Sequence, residues 1–482
     1  MLAGYCWPHS GRSGEEIALH VSGEGTCDVR IVRVGQREEE VASRVVEVTR
    51  QAVPGDAASA GCRWLPSLQI TIDPDWSSGF YRVDLSVADR QAEAFFVVKA
   101  PVGDASYDGV IVLSTSTWAA YNDWGGDSFY TGGYAASQDR PLPRGFLKKE
   151  DPRRFRNARF IAFTDEDRAA LSASGISGWS MSAGWANWEQ LFVEWAEGEG
   201  LRLAYGVSQD LVEDADLLDD SALYLSVGHD EYWCEAMRDR IEGYVEAGGH
   251  ALFLSGNTSF WQARYENDCW VSYKMALEAD PMFDAEAAPG LSTMWSDPLV
   301  GRPENHLTGV SFTRGGYANM PNSPAGGGYD LIRPDHWVFE GIEDPEAELG
   351  AASIVVGYEC DGCEFANVAG RLEPTGYDGT PANFEILATA PARLWETHHI
   401  PGNLRDDYVG ELNWVTRRIE GEESAANIER YGNGHAVMGT MHKGKGRVFT
   451  TGCTDWAYGL DEPDVARVTR NVIDAFSSRF SA

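Results

Sequence analysis

Three stretches rich in polar and aromatic residues each follow an apolar run, and their side chains are of types that carry acid–base and metal chemistry. A carboxylate beside an imidazole, as in His229 and Glu231, can transfer protons to and from a reacting group. Phenolate and carboxylate oxygens together suit a hard, highly charged cation, and ferric iron fits that preference better than zinc. The three stretches are residues 114–134, 228–233 and 255–261.

The elements around these stretches indicate how their side chains are positioned. Residues 222–227 read as a buried strand, His229 to Glu231 as a turn, and the following residues as an amphipathic helix that stops at Gly248. Further apolar strands at 110–113 and 251–254 precede the other two stretches, and residues 446–450 read as another strand. The carboxyl ends of consecutive parallel strands lie at one edge of a sheet. We therefore expect the three stretches to form one pocket, which Glu359 enters as a second carboxylate.

Each of these features also has a structural interpretation. A charged turn that opens a helix satisfies exposed N–H groups and complements the helix dipole, and Asn257 is equally suited to a turn or a helix cap. The aromatic residues can simply bury surface, and Glu359 can be a solvated strand end. Cys234 adds an alternative chemistry, a thiol nucleophile near a helix start with His229 as its base.

The sequence changes character near residue 105, which predicts a mixed α/β chain of more than one domain. Residues 1–105 contain short alternating strands separated by Gly, Pro, Asp and Ser, which is typical of a small β-sandwich. Residues 106–482 alternate strands and helices, which predicts a mainly parallel α/β sheet domain. Within it, residues 280–440 read as long insertions without assigned elements.

Composition narrows the class of protein. The 482 residues carry a formal net charge of −35, which repels nucleic acid and anionic membranes. We expect a cytoplasmic protein, because no apolar run reaches the roughly 18 residues of a membrane span and no leader pattern is visible. The eight cysteines include a single CxxC at residues 360–363, which favours a loop over a zinc site. P-loop, dinucleotide-binding and G-x-S-x-G motifs are not found.

The order of several motifs resembles the large subunit of N,N-dimethylformamidase. The resemblance covers about residues 106–480 and implies a sheet similar to the class I glutamine amidotransferase-like fold. The matching segments are Thr-Trp-Ala-Ala-Tyr-Asn at 117–122, Gly-His-Asp-Glu-Tyr-Trp at 228–233, Gly-Asn at 256–257, Phe-Trp-Gln at 260–262 and Gly-Cys-Thr-Asp-Trp-Ala-Tyr-Gly-Leu at 452–460.

This resemblance implies a mononuclear ferric ion (Fe3+) held by two tyrosines and one glutamate. Carried over by motif, Glu231 is the carboxylate ligand and Tyr121 one phenolate, and the second phenolate is Tyr130 or Tyr134. It further implies that His229 is an acid or base near the metal, Asn257 a group that orients the substrate, and Glu359 a catalytic carboxylate.

The function predicted from these residues is hydrolysis of the C–N bond of a small N-substituted amide such as N,N-dimethylformamide. A wall formed by Trp118, Trp124, Phe260 or Trp261 would suit N-methyl groups. The alternatives are a non-catalytic binding protein on the same fold and a cysteine amidase that uses Cys234. A small partner subunit and a homo-oligomer are both compatible with the resemblance.

Overall fold

A computed structural model of the chain describes residues 1–153, 155–156, 164–283, 290–320, 323–324, 326–396 and 410–477. The chain forms two compact units. The first comprises the described residues of Met1–Pro152, Thr164–Ser221 and Tyr265–Val271, and the second those of Arg153–Phe163, Ala222–Arg264 and Ser272–Ala482. The domain boundary after residue 105 stays a prediction. Among the helices of the described ranges, none combines the length and the apolar character needed to cross a membrane.

The strands are, in chain order, β1 (Ala3–Trp7), β2 (Ser10–Gly11), β3 (Glu16–Ser22), β4 (Gly25–Val34), β5 (Glu38–Val48), β6 (Leu68–Thr71), β7 (Gly79–Val87), β8 (Arg90–Val98), β9 (Gly109–Leu113), β10 (Ala135–Ser137), β11 (Leu203–Val207), β12 (Leu223–His229), β13 (Tyr232–Trp233), β14 (His250–Gly256), β15 (Trp261–Gln262), β16 (Arg264–Glu266), β17 (Cys269–Val271), β18 (Ser311–Tyr317), β19 (Asp330–Leu331), β20 (Glu359–Gly362), β21 (Phe365–Val368), β22 (Arg371–Pro374), β23 (Glu385–Ala392), β24 (Gly434–Lys443) and β25 (Gly446–Thr450).

The α-helices are α1 (Ala57–Ala60), α2 (Thr115–Tyr121), α3 (Asp165–Ser174), α4 (Glu189–Gly198), α5 (Asp210–Glu213), α6 (Glu235–Ala247), α7 (Asn305–Thr308), α8 (Glu411–Glu420), α9 (Ala425–Gly432) and α10 (Pro463–Phe476). Short 3-10 helices cover Gly178–Met181, Lys274–Ala279, Trp337–Phe339 and Thr454–Gly459.

Two sheets at the N-terminal end of the first unit share one apolar core, and their strand pairings are antiparallel except for that of β2 with β8. One sheet has the order β1-β3-β6 and the other β2-β8-β7-β4-β5. Alternate residues such as Leu19 on β3, Val29 on β4 and Val83 on β7 face this core and are fully buried. Strand β5 lacks an alternating apolar pattern, because an edge strand exposes most of its side chains and β5 therefore carries charged residues.

The first unit also holds a parallel pair of strands, β9 and β11. Helix α2 begins two residues after β9 ends, and all seven of its residues are buried. Burial on every side explains why this helix lacks an amphipathic pattern.

The second unit is built on a mixed sheet with the order β12-β14-β25-β24-β23-β19. The pairings β12 with β14 and β14 with β25 are parallel, which confirms the strands predicted at 222–227, 251–254 and 446–450. The other three pairings are antiparallel. This antiparallel part makes the sheet mixed rather than mainly parallel in this unit. Two of its strands, β19 and β23, and most of a third, β24, lie in residues 280–440, where the sequence pattern assigned no elements.

A buried carboxyl group in the second unit makes stability depend on pH. Glu304 accepts hydrogen bonds from the hydroxyls of Ser296 and Ser311 (3.1 Å for the latter). Burial disfavours the ionised form and raises the pKa of Glu304 from its ordinary 4.5 to about 7. Because the folded-state pKa is the higher one, the stabilisation from this group is complete below pH 4.5 and is lost as the pH rises towards 7.

We therefore expect Glu304→Gln to stabilise the protein at alkaline pH, because glutamine keeps a similar shape and cannot ionise. The variant's advantage in unfolding free energy should grow from under about 1 kcal/mol at pH 5 to about 3 kcal/mol at pH 8. Urea unfolding at both pH values measures it. The control is Glu346→Gln at an exposed position, which should show no such trend. Equal stability of wild type and Glu304→Gln at pH 8 would contradict the expected ionisation.

Candidate functional site

The candidate site in the second unit lies where β12 and β14 end side by side. His229 is the last residue of β12 and pairs with Gly256, the last residue of β14. The predicted turn is therefore shorter than expected and begins at Asp230, because the parallel partner strand extends the ladder through Gly228 and His229. Gly228 has φ +81°, a left-handed conformation that residues with a Cβ rarely adopt.

His229, Glu231, Asn257 and Glu359 come together in this site, as the sequence predicted. Nε2 of His229 lies 2.6 Å from a carboxylate oxygen of Glu359 and 3.4 Å from one of Glu231. Nδ2 of Asn257 donates to the same Glu359 oxygen at 3.0 Å. All four side chains are at most 3 % exposed. An imidazole nitrogen between two buried carboxylates, one of them oriented by an amide, is suited to holding and transferring a proton.

Aromatic residues contact the Glu231 carboxylate and the His229 imidazole of this site. The indole N–H of Trp261 donates to Oε1 of Glu231 at 2.7 Å. Trp261 and Glu231 are brought together by a short parallel pairing of β13 with β15, which follow the ends of β12 and β14. The ring of Tyr358 packs edge-on against the imidazole of His229, with 5.7 Å between ring centroids. Trp261 therefore fixes one carboxylate, and Tyr358 limits the movement of the imidazole.

A pair of phenols lies in the first unit. Tyr121 ends helix α2, and the hydroxyl of Tyr130 donates to the hydroxyl of Tyr121 at 2.7 Å. The two rings stack at 4.4 Å, and both residues are buried. Tyr134, the alternative second phenol, is only partly buried. The structure thus brings Tyr130 to Tyr121, which the spacing of the sequence alone did not decide.

The tryptophans of the first stretch pack within the first unit. Trp118 packs edge-on against Phe95 of β8, with ring centroids 5.3 Å apart. Trp124 packs against Trp64 at 5.7 Å. The expected role of Trp118 and Trp124 as pocket walls receives no support from these contacts, because both rings cover residues of the N-terminal β region. In the second unit, Phe260 packs against Trp261.

The thiol of Cys234 is poorly placed to act as a nucleophile. Cys234 precedes helix α6 and is buried. Burial raises the pKa of this thiol above its ordinary value, so the reactive thiolate is disfavoured at neutral pH. The cysteine amidase alternative therefore loses its physical basis. Cys360 and Cys363 are also buried free thiols.

Two further aspartates support the site, although neither was predicted to have a role in it. Asp361 follows Glu359 by two residues on β20, and Asp230 lies between His229 and Glu231. Both aspartates are buried, and each hydrogen-bonds to residues next to the site. Their proximity in sequence to Glu359 and His229 was a usable signal, but the spacing did not show that these strands and turns meet.

The side chains available in each unit determine which of their atoms could bind a metal ion. In the described part of the chain, no group of three or more His, Cys, Asp or Glu side chains is placed to bind a metal ion. A cation site would therefore use other oxygen donors such as phenols. The Tyr121 and Tyr130 hydroxyls, which share a hydrogen bond at 2.7 Å, are such donors, and phenol oxygens suit a hard cation.

Comparison with known proteins gives one family. The family described as N,N-dimethylformamidase beta subunit-like, C-terminal, matches residues 28–470. The N,N-dimethylformamidase beta subunits of an Alcaligenes species and of Paracoccus aminophilus are each 23% identical, over 86% of this chain and 54% of their own length. The chain thus spans about half the length of the curated relatives it matches. A solved chain from work on T cell activation by the superantigen toxic shock syndrome toxin-1 covers 20% of this chain and 98% of its own length, at 17% identity and a TM-score of 0.14, and carries no argument.

Proposed function

This chain belongs to the N,N-dimethylformamidase beta subunit-like family, and on that premise we propose that it hydrolyses the C–N bond of a small N-substituted amide. The relatives' name suggests N,N-dimethylformamide, which would give formate and dimethylamine. The observation that carries the proposal is the position of His229 Nε2 between the carboxylates of Glu359 and Glu231. An amide is cleaved only when a proton is removed from water and one reaches the departing nitrogen.

His229 and Glu359 are the pair that moves these protons. Nε2 of His229 and the Glu359 oxygen are 2.6 Å apart, and we propose that they share one proton, carried on the imidazole or on the carboxyl. The carboxylate form of Glu359 accepts a proton from water as the water oxygen bonds to the carbonyl carbon, and the protonated pair then gives that proton to the departing nitrogen as the C–N bond breaks. An amine leaves far more readily than an amide anion, so this return is a necessary step.

Asn257 has one polar atom left for the substrate or for water. Its Nδ2 donates to Glu359, whereas its buried Oδ1 accepts no hydrogen bond within the described part of the chain. A buried acceptor without a donor is costly, and a water molecule or an N–H group of a bound molecule would satisfy it. Asn257 would then orient the reacting molecule towards the carboxylate that it also holds.

The metal predicted from the family resemblance is a ferric ion held by Tyr121, Tyr130 and Glu231. Hard oxygen donors are available in each unit: the phenol pair in the first, and the carboxylate held by Trp261 in the second. Such an ion supplies Lewis-acid chemistry, polarising a carbonyl and lowering the pKa of water.

We propose that the sheet of the second unit is similar to the class I glutamine amidotransferase-like fold. The parallel order β12-β14-β25 supports this proposal.

We propose two ways in which this chain assembles with other chains. The curated relatives are each described as a beta subunit, and we propose that this chain also assembles with a small partner subunit. The second proposed assembly is a homo-oligomer of this chain. The net charge of −35 favours a partner surface with basic residues.

The direct test is an amide screen with the purified chain, produced in iron-supplemented cells without chelators. We expect formate and dimethylamine to appear in equal amounts from N,N-dimethylformamide, together with about one iron ion per chain measured by mass spectrometry. Formamide and N-methylformamide report the preference for N-substituents. Iron-containing protein that releases no amine from any of these amides would refute the proposed hydrolysis and favour the binding-protein alternative.

A further inference from the structure

The turn that carries Asn257 is strained. Asn257 and Ser259 have φ +50° and +55°, in the left-handed region that residues other than glycine rarely occupy. This conformation is strained, and it persists only where the surroundings hold it. Both residues and the intervening Thr258 are at most 2 % exposed. Contacts from neighbouring elements must therefore hold this turn.

Two elements hold the turn through its backbone. The N–H of Thr258 donates to Oδ2 of Asp361 at 3.0 Å. The N–H of Ser259 donates to the carbonyl oxygen of Asp230 at 2.8 Å. The backbone N–H groups of Thr258 and Ser259 are thus both satisfied by residues of the segments that carry Glu359 and His229.

A chain of buried hydroxyls ties the same turn to β12 and β14. Ser226 donates to Oδ2 of Asp230 at 2.7 Å, and its oxygen lies 3.0 Å from that of Ser255. The Ser255 and Thr258 hydroxyls are 2.9 Å apart. Ser226, Ser255 and Thr258 thus form a continuous chain of buried hydroxyls that ends at the carboxylate of Asp230.

Strand β20 contacts the turn twice. Glu359 and Asp361 are two residues apart on this strand, so their side chains lie on one face. Glu359 accepts from the side chain of Asn257, and Asp361 accepts from the backbone of the following residue, both at 3.0 Å. The first contact belongs to the proposed catalytic pair. The second fixes the backbone from which the Asn257 side chain projects.

We propose that Asp361 is a positioning residue, whose carboxyl group holds the strained turn so that the Asn257 amide stays on Glu359. The inference rests on the proposed amide hydrolysis for its effect on rate, but not for its effect on the turn. Asp361 itself contacts neither His229 nor Glu231 among the hydrogen bonds of the described residues. It acts on the reaction through Thr258 and Asn257.

The acceptor oxygen of Asp361, and not its charge, is what the turn requires. Burial raises the pKa of Asp361 to about 8, so the carboxyl group is largely neutral at pH 7. Its Oδ1 has no hydrogen-bond partner in the described ranges, which leaves Oδ2 as the atom that contacts the turn. Asparagine offers an equivalent carbonyl oxygen in the same shape, whereas leucine fills similar space without an acceptor.

The test compares Asp361→Asn, Asp361→Leu and Asp361→Ala with the wild-type chain. We expect Asp361→Asn to keep kcat within about threefold, and the leucine and alanine variants to lose at least about tenfold in kcat with little change in KM, since small misplacements of reacting groups have large effects on rate. Hydrogen–deuterium exchange of the peptide covering residues 254–262 should rise in the leucine and alanine variants alone. Should the alanine variant fail to fold, the leucine variant still provides the comparison.

The matched control is Asp464→Ala, which also removes a carboxylate that accepts from a backbone N–H, that of Glu343 at 2.8 Å. This change should leave kcat and the exchange of residues 254–262 unaltered. The inference is overturned if Asp361→Leu leaves both measurements unchanged, or if Asp361→Asn is as impaired as Asp361→Leu. A wild-type chain that releases no amine from any amide refutes the proposed function alone, because the exchange measurement still decides whether Asp361 holds the turn.

Discussion

Glu359→Gln should lower kcat for amide hydrolysis by about 10²- to 10⁴-fold, the usual range for loss of a general acid or base. Glutamine keeps the length of the side chain and can still accept from Asn257, but it cannot take a proton from water. It also leaves the imidazole nitrogen of His229 without the carboxylate at 2.6 Å. Steady-state kinetics on the best amide of the screen, with iron content measured in parallel, gives the effect. Iron per chain should stay unchanged.

The control for this variant is Glu385→Gln, the same substitution on strand β23. Glu385 pairs with Arg333 at 2.9 Å and is about half exposed, so its loss should change kcat less than twofold. Full activity of Glu359→Gln would show that another group removes the proton, and the roles given to His229 and Glu359 would have to be abandoned.

Gly256→Ala is the second change with a large expected effect. A Cβ at position 256 would lie 2.5 Å from the carbonyl oxygen of Glu359, 2.5 Å from the backbone nitrogen of Thr454 and 2.7 Å from the carbonyl carbon of Cys453. All three are backbone atoms, so the overlap cannot be relieved by rotating a side chain. β20 would have to move away from β14, and Glu359 would move with it.

We expect Gly256→Ala to destabilise the chain by about 3 kcal/mol or more, which is at the upper end of the cost of overpacking. Whatever folded protein remains should lose at least about 10²-fold in kcat, since the pair of His229 and Glu359 is displaced. Denaturant unfolding and kinetics normalised to folded protein separate the two effects.

The control is Gly243→Ala, the same substitution at a position where we expect it to stabilise the protein. Gly243 lies inside helix α6, and a Cβ there meets no atom within 4 Å. Alanine should therefore stabilise the protein by about 0.5–1 kcal/mol and leave kcat unchanged. Wild-type stability and activity in Gly256→Ala would mean that β20 does not approach β14 as closely as the structure shows.

The local sequence determined the parallel core of the second unit and the residues at its edge. The runs at 222–227, 251–254 and 446–450 are short, apolar and bounded by glycine or polar residues, and each forms a strand. Since side chains at the carboxyl ends of neighbouring parallel strands must lie close together, His229, Glu231 and Asn257 could be predicted to share a site. This reasoning needs only hydrophobic pattern and strand order.

The tertiary structure alone decided how Glu359 and Asp361 reach that site. They lie about 100 residues after Asn257, on a strand that pairs antiparallel with β18 and lies against Gly256. No periodic pattern indicates that approach, because β20 has only four residues and its partner β18, although buried throughout, consists mostly of polar residues and glycine. The packing of Trp118 and Trp124 and the strained turn at 257–259 likewise depend on contacts between residues distant in sequence. The chemistry of the side chains was readable from the chain, whereas the distances between them follow from how the intervening segments pack.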